Sequence, residues 1–241
     1  WETQASQEST VKYLLTGAFS SAILVYGMAL IYAGSGTTEI RMIGQLINEN
    51  PYTRNTLVYI GIGLMFCGFA FKISLVPFHS WTPDVYQGAP TPITGFMSVA
   101  TKAAAFAVIA RIFFTALPEL EKVWMPILFG TSVLTMLIGN TAAIFQDDLK
   151  RMLAYSGVAH AGYLLIGIVT NTQEGMASII FYLAVYLFMN IGAFAVVFIM
   201  EGEGREGNSI NRFKGLAKRN PLLAAAMALF MVSLAGFPPT A

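Results

Sequence analysis

Charge is scarce in this sequence. Of its 241 residues, 11% are Asp, Glu, Lys or Arg, against roughly a quarter in an average soluble domain. The net charge is +1, which offers no basic surface for a nucleic-acid backbone. Cysteine is almost missing. Cys67 stands alone in an apolar run, with no disulfide partner and no ligand set for zinc or an iron–sulfur cluster, and reads as a small buried hydrophobe. There are two histidines, His79 and His160, too isolated in sequence to form a metal set. No glycine-rich nucleotide loop follows a strand pattern, and no serine–histidine–acid grouping is credible. Any redox chemistry that this protein serves is therefore expected on another chain.

What the sequence has instead is apolar length. Hydrophobic residues make up 56% and the mean hydropathy is +0.63. A bilayer-spanning helix needs about 20 apolar residues, and the chain offers seven such segments. They run from about Val11 to Ala33, Thr56 to Ser74, Pro90 to Thr115, Trp124 to Phe145, Met152 to Val169, Met176 to Met200, and from Pro221 onward. The reading is an all-α, polytopic transmembrane helix bundle, a single domain over residues 1–241. The opening WETQASQEST is polar, has no initiator Met and shows no signal peptide; the chain closes on Gly236-Phe237-Pro238-Pro239-Thr240-Ala241 beside an apolar run. Both ends are expected to be internal to a longer membrane protein.

Between the spans lie polar connections: a loop from Gly34 through Pro51 and Arg54, the charged knot Asp147-Asp148-Leu149-Lys150-Arg151, and a loop from Glu201 to Arg219. Alternation puts Lys12, Lys150, Arg151, Arg205, Arg212, Lys214, Lys218 and Arg219 on one side. Arg41, Arg54, Arg111 and Lys122 fall on the other. The positive-inside rule makes the first side cytoplasmic. Glu119, Glu121, Glu201, Glu203 and Glu206 read as solvated loop acids, and Tyr13, Tyr155, Tyr163 and Tyr182 as interface or packing residues.

Two spans are interrupted. Pro77 and Pro83 break the second, because proline removes a backbone donor and blocks the preceding turn. Leu234-Ala235-Gly236-Phe237-Pro238-Pro239 breaks the seventh, and Ser74-Leu75-Val76-Pro77-Phe78 loosely repeats in Ser233-Leu234-Ala235-Gly236-Phe237-Pro238. The two lie an odd number of spans apart, so their helices would run in opposite senses. Broken helices at matching places in inverted halves mark transporters.

Two lysines then stand out. At 1.5 Å per residue, Lys72 is roughly 24 Å along its helix from Thr56, and Lys102 is roughly 18 Å into the third span. A lysine at that depth costs about 2.5–3.5 kcal/mol on insertion scales, which marks it as functional. A desolvated amine can release and recover a proton, whereas a guanidinium cannot. Neither lysine has a carboxylate near it in sequence. His160, in mid-span, fits either a proton relay or a helix–helix hydrogen bond. His79 lies in the broken segment, where freed backbone groups need partners. Asp84 reads as a cap near the surface.

From Lys72 to Arg111 the sequence also acquires a family likeness. Phe71-Lys72-Ile73-Ser74-Leu75-Val76-Pro77-Phe78-His79-Ser80-Trp81-Thr82-Pro83-Asp84-Val85-Tyr86-Gln87-Gly88-Ala89-Pro90-Thr91-Pro92 resembles the antiporter-like membrane subunits of respiratory complex I, the NADH–quinone oxidoreductase. It looks closest to subunit N (subunit 2 in mitochondria). Ser98-Val99-Ala100-Thr101-Lys102, Asp148-Leu149-Lys150-Arg151-Met152-Leu153-Ala154-Tyr155-Ser156, Gly162-Tyr163 and Ala235-Gly236-Phe237-Pro238-Pro239 fit later helices, so the likeness covers nearly the whole chain.

The resemblance implies an inverted-repeat antiporter-like fold, seen in part, from the sixth to the twelfth of fourteen helices. It implies a proton relay through Lys72, Lys102, His160, Lys12 and His79, with the glutamate partner of Lys72 upstream of residue 1. It implies partnership with other membrane-arm subunits, a lipid bilayer and protons. NADH, FMN, iron–sulfur clusters and quinone would belong to other subunits, and the membrane would be the bacterial inner membrane, with a thylakoid or organellar membrane as the alternative. The Mrp-type cation/proton antiporters share the broad pattern. A non-conducting structural subunit of the membrane arm is the remaining alternative.

Overall fold

A computed structural model describes residues 4–50, 52, 55–201 and 208–237. Among these, every regular element is helical and the only extended pairing is an isolated bridge between Asp148 and Ser209. The first helix, α1 (Gln4–Ser35), stops where Gly36 takes a φ of 76°, the left-handed conformation that glycine adopts most cheaply. Expected as loop, residues 40–49 instead form α2 (Ile40–Glu49), which buries Ile43 and Ile47 and exposes Arg41 and Glu49. Its isoleucines recur at helical spacing, which gives it one apolar face.

The second span is α3 (Thr56–Lys72) followed by α4 (Trp81–Gly88). The third is α5 (Thr91–Phe96), a π-helical turn Met97–Thr101, and α6 (Lys102–Thr115). Then come α7 (Glu121–Ile144), α8 (Leu149–Val169), α9 (Gln173–Glu201), the single turn α10 (Leu216–Arg219) and α11 (Pro221–Leu234). Five spans are long and apolar enough to cross a membrane, and α3 and α11 are shorter apolar helices. The seven expected segments are therefore all present, two of them as the interrupted ones. The charged knot is less of a loop than expected: Asp148 caps α8 by accepting from Arg151 N at 3.0 Å, and Lys150 and Arg151 lie in the first turn.

The two breaks end their helices in the same way. At the first, Ile73 N donates to Phe69 O, Ser74 N to Phe71 O and Leu75 N to Ala70 O, with Ser74 at φ 63°. At the second, Ala235 N donates to Met231 O, Gly236 N to Ser233 O and Phe237 N to Val232 O, with Gly236 at φ 77°. Both are the 6→1 and 5→2 pattern of a Schellman cap around a left-handed residue. The expected Pro238 and Pro239 of the second break lie outside the described residues, as do Pro51, Arg54, Glu203, Arg205 and Glu206. A non-glycine residue pays to adopt that conformation. Ser74 is held there by burial and by accepting from Thr82 Oγ1 at 2.7 Å.

Glycine permits the closest helix contacts. A Cβ on Gly139 of α7 would stand 2.6 Å from Ala159 N in α8, and one on Gly27 of α1 would stand 2.7 Å from Gly61 O in α3. Small residues at such crossings are the usual basis of helix association in lipid. Gly139→Val is expected to force α7 off α8 and to cost roughly 1–3 kcal/mol or more, read as a lower thermal midpoint in detergent. An unchanged midpoint would mean that the two helices pack elsewhere.

Candidate functional site

Lys102 opens α6 directly after the π turn, which adds a residue to the helical repeat and so sets the direction of every side chain beyond it. Ser98 in that turn is buried, donates to Gly95 O at 2.7 Å, and accepts from Asn190 Nδ2 of α9 at 2.6 Å. Lys102 itself is 2% exposed. Its Nζ donates to Gly157 O of α8 at 2.5 Å and lies 5.9 Å from the centroid of the Tyr186 ring of α9. Among the described residues no carboxylate pairs with it. An amine placed there has a backbone carbonyl and a tyrosine ring as its neighbours.

One helical turn beyond Gly157 is His160, 4% exposed. Its Nδ1 is 2.6 Å from Tyr182 Oη, and its ring centroid is 5.0 Å from that of Tyr186 and 5.6 Å from that of Tyr163. Tyr163 Oη accepts from Asn140 Nδ2 at 2.9 Å. His160, Tyr182, Tyr163 and Asn140 border a cavity of about 270 Å³ that reaches Ser233 and Gly236 at the second break. A second cavity, of about 520 Å³, lies beside the start of the third span, between Ser9, Thr10, Met97, Thr91, Lys150 and Glu201. Ser98, Asn190, Lys102 and Tyr186 are all buried.

At the first break, freed backbone groups are taken up by Trp81 Nε1, which donates to Phe71 O at 3.1 Å, and by Thr135 Oγ1, which accepts from Val76 N at 3.1 Å. His79, placed by the sequence as a candidate for that task, is half-buried, and its Nδ1 has no hydrogen-bond partner among the described residues. Lys72 is the last residue of α3, half-buried, with no hydrogen bond or ion pair among the described residues.

A family profile described as NADH:quinone oxidoreductase/Mrp antiporter, TM, matches residues 1–241. The chain belongs to this family. It is 50% identical over 236 residues to NADH-quinone oxidoreductase subunit N of Trichlorobacter lovleyi, covering 98% of this chain and 48% of that protein. It superposes on a chain of respiratory complex I from Thermus thermophilus (TM-score 0.78, 35% identity, 99% of this chain and 50% of that one). It also superposes on a chain of the Mrp complex from Dietzia sp. (TM-score 0.87, 26% identity, 98% and 43%). The chain spans about half the length of the curated relatives it matches.

Within this NADH:quinone oxidoreductase/Mrp antiporter family fold, the residues singled out in the sequence are brought together selectively. Lys102 and His160 share one buried file. Lys12 does not join it: its Nζ is 2.6 Å from Glu8 Oε1 and 2.7 Å from Asp84 Oδ2. Asp84 is accordingly more than a cap, since its Oδ1 also accepts from Arg151 Nη1 at 2.6 Å and ties α1, α4 and α8 together. Glu201, read as a solvated loop acid, ends α9 with Oε1 2.7 Å from Thr91 Oγ1 and 3.8 Å from Lys150 Nζ, and Lys150 is only 3% exposed. Thus three of the cations assigned by sequence to one side, Lys12, Lys150 and Arg151, each meet a carboxylate.

Tyr182 and Tyr186 are the functional candidates that the sequence reading missed or treated as packing. Their i, i+4 spacing on one face of α9, opposite the i, i+3 pair Gly157 and His160, was the available signal. Among the described residues no cluster of His, Cys, Asp and Glu has the makings of a metal site.

Proposed function

We propose that this chain is part of a proton-translocating membrane subunit of an NADH–quinone oxidoreductase, a subunit that carries no redox chemistry of its own. The observation that carries this reading is Lys102: an amine buried at mid-span and bonded to a backbone carbonyl of α8 one helical turn from His160, which itself borders a cavity. Quinone reduction on other subunits alters the field and hydration around Lys72 at the first break. Lys102 and His160 then pass the proton along the membrane axis. Moving one charge against 100 mV takes about 2.3 kcal/mol, which the redox partner supplies. Lys12, at the charged end, and His79, at the break, stand at the approaches to this route. The family likeness and the half-length coverage fit a chain whose remaining helices complete the route, working beside other membrane-arm subunits in a bacterial inner membrane.

The test uses the full-length protein assembled in its complex and reconstituted in vesicles. Lys72→Ala is expected to lower redox-driven proton pumping several-fold at equal complex content. Wild-type pumping in that variant would remove Lys72 from the route. The second reading, an Mrp-type cation/proton antiporter, is favoured by the closer superposition on the Dietzia chain. The higher identity to subunit N outweighs it. Sodium-dependent proton exchange in vesicles without NADH would reverse that order.

A further inference from the structure

Tyr186 poses a specific problem. It is buried at 1% exposure, yet its hydroxyl makes no hydrogen bond among the described residues. A buried hydroxyl without a partner is destabilising, and a phenylalanine of the same shape would avoid that cost. The neighbouring glycine shows what the hydroxyl faces. A Cβ on Gly157 would stand 2.8 Å from Lys102 Nζ and 3.0 Å from Tyr186 Oη. The amine and the phenol therefore flank one point on the face of α8, and only a hydrogen atom of Gly157 occupies it. His160 lies one turn along the same face, with its ring against that of Tyr186 and its Nδ1 already engaged with Tyr182.

We infer that Tyr186 is the proton-transfer partner of Lys102, and that Gly157 is glycine so that the lysine amine can swing from the Gly157 carbonyl to the Tyr186 hydroxyl. The inference rests on the proton-translocating reading and adds to it the step between Lys102 and His160. In that step the ammonium of Lys102 gives one proton to Tyr186 Oη as the phenol releases its own proton to His160 Nε2. Lys102 becomes a neutral amine, Tyr186 remains a neutral phenol, and His160 becomes an imidazolium. Tyr182 stays bonded at Nδ1 and holds the ring in place. Gly157 acts as a positioning residue: the atoms nearest a new Cβ are the far ends of two side chains, so an alanine displaces them without prising the helices apart.

The experiment compares Tyr186→Phe, Gly157→Ala, Lys102→Ala and the double variant Lys102→Ala/Tyr186→Phe. Each is built in the full-length subunit, in the assembled complex, in vesicles energised with NADH and quinone. Pumping is normalised to the amount of assembled complex. Tyr186→Phe and Gly157→Ala are each expected to lower it by about tenfold, the low end of what a positioned proton-transfer group contributes. The double variant is expected to fall no further than Lys102→Ala alone, because groups acting in one step do not add. A purely structural Tyr186 would give multiplying losses in the double variant, and that result overturns the inference. So does wild-type pumping in Tyr186→Phe and Gly157→Ala alongside impaired Lys102→Ala, which leaves the proton-translocating reading standing. Wild-type pumping in Lys102→Ala overturns both together. If Tyr186→Phe does not assemble, Gly157→Ala decides.

Discussion

Replacing Lys102 by methionine is expected to move stability and function in opposite directions. The substitution removes an ammonium that costs about 2.5–3.5 kcal/mol to hold at bilayer depth. It leaves an unbranched side chain of similar length beside Gly157 and Tyr186, and Met adapts to irregular space. One hydrogen bond to Gly157 O is lost. That carbonyl lies inside α8 and keeps its own helical environment. The isolated subunit should therefore unfold in detergent at an equal or higher temperature than the parent. Pumping by the assembled complex should fall by about tenfold or more, the scale of a missing proton-transfer group. A residue kept against its stability cost is the signature of function. Lower stability together with unchanged pumping would show the opposite, that the lysine is there to hold α6 on α8.

The second large effect is expected at Asp84. Its two oxygens each meet a cation, Lys12 of α1 and Arg151 of α8, from a position in the short helix that follows the first break. Asp84→Ala leaves Arg151, 27% exposed, facing Lys12 with no carboxylate between them. Exposed pairs contribute at most about 1 kcal/mol, whereas removing one partner of a buried pair costs about 3–5. A half-buried acid that serves two helices falls between, at about 1–2 kcal/mol. The structural consequence falls on one corner of α4, where Gln87 also meets Arg151 and Asp148, while Trp81 and Thr82 anchor its other end to the first break. The expected result is a marked drop in assembled complex with pumping per complex largely retained. Asp84→Glu should recover part of the assembly. If Asp84→Ala assembles normally but pumps poorly, Asp84 belongs to the proton route and not to the frame.

Apolar runs of bilayer length could become only spanning helices, because lipid offers no partner for unpaired backbone groups. Pro77 could not continue α3, and the left-handed φ at Ser74 and Gly236 completes the same cap at both breaks. Lys102 was legible as a buried cation from its distance to either end of its span. By contrast, α2 does not stand out as a helix in sequence because it is short and lies in a connection that also holds Arg41, Glu49, Pro51 and Arg54, although its isoleucines keep the helical period. The error with Glu201 had another cause. Nothing in sequence reveals that the end of α9 meets the start of α8, where Lys150 is buried against it.

The sequence by itself determined that this chain is built of membrane-spanning helices, where two of them break, and that Lys102 lies far from either end of its span. All of that follows from the cost of placing polar groups in hydrocarbon, which depends on local composition alone. Only the tertiary structure decided which of those groups meet: Lys102 with Gly157 and Tyr186, His160 with Tyr182, and Asp84 between Lys12 and Arg151. A hydrogen bond is set by separations of about 3 Å between atoms that are tens of residues apart in the chain. The crossing angle and rotation of packed helices fix those separations, and here they turn on glycines that let backbones touch and on a π turn that redirects one helix face.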